Sequence, residues 1–203
     1  MEELEIPYEL NLLEFNQVKE PQYLELNPNG RLPTIEDPNT DMTVWESGAI
    51  ILYLIDQYDK EGKLSYLDAP QKYASMQWLM FQVSGQGPYF GQATWFARFH
   101  PEKLPSAIDR FMKEIERVIG VLDVALSRNR TGWLVGDRCT YADISFVAWA
   151  ATGEGLLREL QKDVGLEEKY PHYYAWFAAL KERPVIARAL QEIVAQRRAH
   201  GLP

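Results

Sequence analysis

Two short stretches place chemically useful residues where local structure alone does not ask for them. In "NGRLPTI" (29–35) a proline stands where an apolar strand is beginning, and in "ESG" (46–48) a carboxylate and a hydroxyl precede an apolar run. Pro33 has no N–H to give to a strand ladder, so a central, fully paired strand would reject it. A cis Leu32–Pro33 bond is one solution, since X–Pro bonds tolerate cis far better than others. Such a turn leaves the N–H and C=O of Leu32 open at a sheet edge, able to pair with an extended peptide as one more strand. A plain turn proline is the competing reading.

Ser47 reads as the N-cap of a helix over 48–58, where unpaired N–H groups and the helix dipole favour a bound carboxylate. Glu46, ending the preceding strand, offers an anion suited to an ammonium. A carboxylate beside an ammonium is an α-amino-acid head group, and each charge-assisted hydrogen bond to it is worth roughly 1.5–3 kcal/mol. Leu32, Pro33, Glu46 and Ser47 together therefore suit a small peptide, gripped by its backbone at one end and by its amino-acid group at the other. An ordinary serine cap competes with this reading too.

Other candidates read as structure. His100, His172 and His200 lie far apart without ligand spacing, so no metal site is expected. "GQGPYFG" lacks the third glycine of a dinucleotide fingerprint and sits in a helical pattern, which makes it a kink. Tyr89, Phe90, Trp95, Phe96 and Phe99 can line an apolar ligand pocket, but core packing is the preferred reading. In "TYAD" (140–143) Thr140 and Asp143 form a capping box flanked by Cys139 and Ile144 as a hydrophobic staple. Cys139 is then a small buried apolar group, and Asp143→Ala is expected to cost about 1 kcal/mol.

The elements that must hold these residues follow from periodicity. Tyr8, Leu10 and Leu12 alternate with Glu9 and Asn11, predicting a strand to about Phe15. A short helix opens at Pro21 and ends at "NPNG"; strands over 32–36 and 42–46 are joined by "DPNT". With the helix over 48–58 this makes β-α-β-β-α, a domain over 1–62. After a polar linker, 68–203 reads as an all-helical domain. It opens with a helix capped by Asp68 and kinked at 84–88, followed by helices over 105–128, 140–151, 171–183 and 184–198.

Bulk properties narrow the function. The 203-residue chain carries a formal charge of −8, which disfavours nucleic acid and anionic membrane as partners. Its single cysteine rules out an internal disulfide and dithiol chemistry. No signal peptide or membrane span is legible, so the cytoplasm is the expected location. Asn129-Arg130-Thr131 matches a glycosylation sequon, taken as incidental.

A β-α-β-β-α module bearing "RLP" and "ESGAI", followed by helices bearing "TYAD", resembles a cytosolic glutathione transferase over essentially the whole chain. "LNPNGRLPTIED", "WESGAIILYL" and "QWLMFQVSGQGPYFGQ" are most similar to the fungal group around the yeast nitrogen-repression regulator and to the bacterial nu class. The resemblance implies a thioredoxin-like N-terminal domain and an all-α C-terminal domain. It implies glutathione as cosubstrate, with Leu32 and Pro33 on the cysteinyl backbone and Glu46 and Ser47 on the γ-glutamyl end. It adds Gln17 or Lys19 for the glycyl carboxylate, and Arg117 as a helper. The implied activity is conjugation of glutathione to a small hydrophobic electrophile, or glutathione-dependent disulfide reduction. The second-substrate pocket would lie near Tyr89, Phe90, Trp95 and Phe96, in a homodimer without metal. The family's first strand and helix start, which carry the sulfur-activating residue, have no counterpart before Ile6, so the catalytic residue is unassigned. The alternative function is a non-catalytic glutathione-binding regulatory protein. The segment at 6–15 is then expected to detach, to pair with another chain or to be poorly ordered.

Overall fold

The computed structural model describes residues 1–199, with side chains as far as Gln196, and divides into two compact units, Met1–Ser65 and Tyr66 onward. In the first, β1 (Thr34–Asp37) and β2 (Met42–Trp45) pair antiparallel from Thr34↔Trp45 to Asp37↔Met42. Helix α1 (Pro21–Leu26) precedes them and α2 (Ser47–Tyr58) follows. Asp37 ties the hairpin turn to α2. Its buried carboxylate accepts the N–H and amide of Asn39 and the hydroxyls of Tyr53, at 2.6 Å, and Tyr58. Beyond α2, Asp59 accepts the N–H groups of Lys63 and Leu64 and the hydroxyl of Ser65, which fixes the chain at the end of the unit.

No strand forms over 6–15. Alternating apolar residues supply a face, but a strand exists only as one side of a ladder, and among the described residues nothing pairs with this segment. Leu10 is 66% and Phe15 79% exposed. Only single 3₁₀ turns, Glu2–Leu4 and Gln17–Lys19, flank it.

The second unit is helical. Helix α3 (Gln71–Phe81) and α4 (Gly87–Thr94) are joined by a π-turn, Gln82–Gln86, and a second π-turn, Trp95–Phe99, follows α4. The expected kink at 84–88 is thus a widening of the ladder, with Gln82 and Gln86 buried and bonded to each other at 3.2 Å. Pro70 rather than Asp68 takes the N-cap of α3, and no side chain caps it. Helix α5 (Pro105–Asn129) is the spine: Met112, Ile115, Val118, Ile119, Leu122 and Leu126 form its buried stripe. The expected helix over 140–151 is broken into α6 (Tyr141–Ile144) and α7 (Val147–Glu159); α8 (Leu166–Lys169), α9 (Pro171–Lys181) and α10 (Pro184–Ala199) complete the unit.

The capping box at Thr140 and Asp143 forms. Asp143, fully buried, also accepts the N–H of Leu134 and the indole N–H of Trp176, both at 2.9 Å, so it joins three segments. Cys139 is buried in the same core. The amide of Asn129 donates to Trp133 and Gly136 carbonyls at 2.8 Å, so the sequon nitrogen is spent on its own turn.

Candidate functional site

The loop from Asn27 to Leu32 is held from within. Buried Asn27 donates its amide to the Arg31 carbonyl at 2.7 Å and to Thr34 Oγ1 at 3.1 Å, and accepts the N–H of Asn29. Tyr23 of α1 donates its hydroxyl to the same Arg31 carbonyl at 2.7 Å. Lys19 Nζ donates to the Gly30 carbonyl at 2.6 Å. Gly30 has φ +59°, and a Cβ there would stand 2.8 Å from the Val18 carbonyl oxygen, so no other residue fits this turn without strain. The carbonyls of residues 30 and 31 are therefore occupied. Leu32 comes next, and neither its N–H nor its C=O is hydrogen-bonded among the described residues. Its side chain is 51% exposed, and the Leu32–Pro33 bond is cis.

The β ladder ends at Thr34 and Trp45, so Pro33 and Glu46 are the next residues outward on the two strands. The structure thus brings Leu32, Pro33, Glu46 and Ser47 to one end of the hairpin. One expectation is corrected here: Glu46, not Ser47, is the N-cap of α2, and neither side chain caps it. The strand runs straight into the helix, Ser47 is already helical, and the turn is made by Glu46 at φ +71° and ψ 121°. A non-glycine residue in that region is a strained position of the kind that clusters at ligand sites. The consequence favours binding, because the Ser47 hydroxyl is left unspent. The first intrahelical bond is Ile50 N–H to the Glu46 carbonyl, so among the described residues the N–H groups of Ser47, Gly48 and Ala49 have no acceptor. Asn29 Nδ2 reaches Glu46 Oε1 at 3.2 Å, linking the loop to the junction.

Sequence reasoning read "NPNG" only as a turn and so missed Asn29 and Arg31. The usable signal was charge: Lys19 and Arg31 are the only basic residues before Lys60; Arg31 sits on this loop and Lys19 reaches its carbonyls from the preceding turn. Arg31 is exposed, and its guanidinium makes no ion pair among the described residues. Lys19 is engaged with the loop carbonyls, and Gln17 Oε1 accepts the N–H of Glu14 at 2.6 Å. Arg117 lies on α5, bonded to Glu114 at 2.7 Å and over the ring of Tyr89.

The aromatic quartet does not share a face. Phe90 is 1% exposed and belongs to the core, as the preferred reading had it, and so does not line the second-substrate pocket that the resemblance implied near it. Tyr89 and Phe96 pack on Phe111 of α5. Trp95 stacks on Phe99, and both stand exposed. Among the described residues no three His, Cys, Asp or Glu side chains gather as a metal set; His200 lies outside them.

The arrangement offers a free backbone pair, three free helix N–H groups, a hydroxyl, a carboxylate and a guanidinium. These fit a short peptide with an α-amino-acid end and a second carboxylate. The chain matches the glutathione S-transferase N-terminal domain over residues 1–57 and the C-terminal domain over 88–184. It is 44% identical to the glutathione S-transferase-like protein gedE of Aspergillus terreus, covering 96% of this chain and 88% of that one. The crystal structure of the glutathione transferase URE2P6 from Phanerochaete chrysosporium, in complex with oxidised glutathione, superposes with a TM-score of 0.85 at 48% identity, over 94% and 86% of the two chains. A glutathione transferase homologue from Lodderomyces elongisporus, with two glutathione molecules per subunit, does so with a TM-score of 0.83 at 34% identity, over 93% and 88%.

Proposed function

Because the chain belongs to the glutathione S-transferase family, we propose that it binds glutathione at the Leu32–Glu46 junction and presents its sulfur to a small apolar electrophile or a mixed disulfide. The unpaired N–H and C=O of Leu32, beside the open first turn of α2, carry this reading. In it the cysteinyl backbone pairs with Leu32. The γ-glutamyl carboxylate takes the Ser47 hydroxyl and the free N–H groups of α2, its ammonium meets Glu46, and the glycyl carboxylate meets Arg31. Pairing to a fixed backbone and to a helix N-terminus holds the tripeptide in one orientation, which is the chain's contribution to rate.

The reactive sulfur is the cosubstrate's own, since Cys139 is buried in the core. In conjugation a C–S bond forms as the thiolate displaces a leaving group, and the thiol proton goes to solvent. In disulfide reduction the thiolate attacks one sulfur of the mixed disulfide and releases the other as a thiolate, leaving oxidised glutathione. Relatives crystallised with oxidised glutathione, or with two glutathione molecules per subunit, support a site able to hold both halves of that product.

Calorimetry with reduced and oxidised glutathione tests the site. Ser47→Ala and Glu46→Gln are each expected to weaken uptake about tenfold or more, the equivalent of one charge-assisted hydrogen bond. Unchanged uptake in both variants would overturn the assignment. Turnover of a chloronitrobenzene, measured beside it, separates the enzyme from a regulatory protein that binds glutathione without reacting it.

The chain is further proposed to act as a homodimer. Trp78, Val121 and Val124 floor a groove of about 420 Å³ on α3 and α5, rimmed by Arg117 and Arg128. Residues 1–65 hold 14 acidic side chains against 4 basic, and the remainder 15 against 17. A basic-rimmed apolar groove on one copy is thereby complementary to the acidic unit of another.

A further inference from the structure

Away from the hairpin, a cavity of about 470 Å³ opens between the last turn of α5, the loop after it, and one face of α9. That volume is in the range of small-molecule sites. Its walls differ from the rest of the surface. The chain carries a formal charge of −8, yet no carboxylate lines this cavity, while Arg130 and His172 do. Both are exposed, and neither side chain makes a hydrogen bond or ion pair among the described residues. Two carboxylates bonded to α9 are committed to it: Asp123 accepts the N–H of Tyr173, and Asp143 accepts the indole N–H of Trp176.

Trp133 lines the same cavity, half-buried, and its indole N–H makes no hydrogen bond among the described residues. Its backbone is pinned, its carbonyl by the Asn129 amide at 2.8 Å and its N–H by Thr131 Oγ1 at 3.3 Å. The backbone that carries the indole is therefore fixed at the cavity wall. From α9 the cavity is lined by the exposed Ala175 and Ala179, where a surface helix ordinarily sets long polar side chains. Arg130 ends α5 at φ +59°, a position glycine usually holds.

We propose that this cavity binds a small planar aromatic carboxylate, separately from the glutathione site. The ring lies between Trp133 and the alanine floor, and the carboxylate pairs with the Arg130 guanidinium, with His172 at the rim. A guanidinium matches a carboxylate in two parallel hydrogen bonds, and an indole face packs better on an aromatic ring than on an aliphatic chain.

The test is calorimetric titration of 2-naphthoate into the full chain held at saturating glutathione. One equivalent is expected to bind. Ala175→Trp, which fills the slot from an exposed helix face, is expected to abolish uptake. Arg130→Gln should weaken it about tenfold, the loss of one charge-assisted contact, and the uncharged 2-naphthylmethanol should bind about tenfold more weakly than the acid. Glutathione uptake should be the same in both variants, which also reports that they are folded. Absence of naphthoate uptake overturns the proposal. So does uptake that survives Ala175→Trp, or uptake that ignores both Arg130 and the charge of the probe.

Discussion

Two buried aspartates show how much one side chain can hold, and each yields a prediction. "TYAD" alone implies a capping carboxylate whose loss costs about 1 kcal/mol. In the structure Asp143 accepts from the N–H of Thr140, the N–H of Leu134 and the indole of Trp176, all at 2.9 Å. Burial pushes its carboxyl upward while those donors pull it down. Asp143→Ala strands three buried donors at about 1–3 kcal/mol each, so a loss of about 3 kcal/mol or more is expected, read as a lower urea midpoint at unchanged slope. A loss near 1 kcal/mol would mean the donors find other partners. Asp37 is the pH-sensitive counterpart. The hydroxyl of Tyr53 above all, then that of Tyr58, holds its carboxyl down, from an ordinary 3.8 to about 2. Its folded value is depressed, so the stability it confers is complete above about pH 4 and fades as pH falls toward 2. The gap in urea midpoint between the chain and Asp37→Asn should therefore be constant from pH 7 to 5 and narrow below pH 4. A gap independent of pH would show that the hairpin does not rely on the charge.

At the level of elements, the site depends on a turn that only glycine makes comfortably. Gly30→Ala at φ +59° costs about 1–2 kcal/mol and drives a methyl toward the Val18 carbonyl. The turn should loosen, the amides of 27–34 should exchange faster, and glutathione uptake should weaken, while thermal melting of the helical unit stays put. Unaltered uptake would detach the loop from the site. The same scale explains what the residues could and could not foretell. Helix α5 was legible because seven apolar residues recur at three- and four-residue spacing, and the capping box because its two side chains satisfy each other locally. The Leu32 turn and the Glu46 junction were legible as oddities, since proline and a carboxylate sat where the neighbouring pattern had no use for them. The alternation over 6–15 described a face and said nothing of a ladder partner; only the partner strand missing by resemblance pointed to the segment standing apart from the sheet. Phe90 lies in the core, as preferred, and the four-aromatic pocket implied by the resemblance fails because four aromatics within eight helical residues, at about 100° per residue, cannot face one way. Ser47 lost its capping role to a positive φ at Glu46, which no pattern of residue types announces.

For the molecule as a whole, the distribution of charge argues for association between copies. Placing 14 acidic and only 4 basic side chains in residues 1–65 makes that unit repel itself, whereas the remainder is nearly balanced. A groove floored by Val121 and Val124, 36% and 47% exposed, and rimmed by Arg117 and Arg128, offers apolar area together with the opposite sign of charge. If two copies dock reciprocally through it, the contact is closed and its burial is counted twice, so one substitution acts at two places. Light scattering at micromolar concentration should then give a mass near twice the 23.4 kDa chain. Val124→Glu sets a carboxylate at the groove floor facing the partner's acidic unit, and should leave single chains with unchanged helical content. Raising salt from about 0.05 to 0.5 M shortens the screening length severalfold and should weaken the dimer, because the arginine rim then sees less of the opposing charge. A single-chain mass under these conditions, or a dimer indifferent to Val124→Glu, would refute the docking face and leave the exposed valines as ordinary surface.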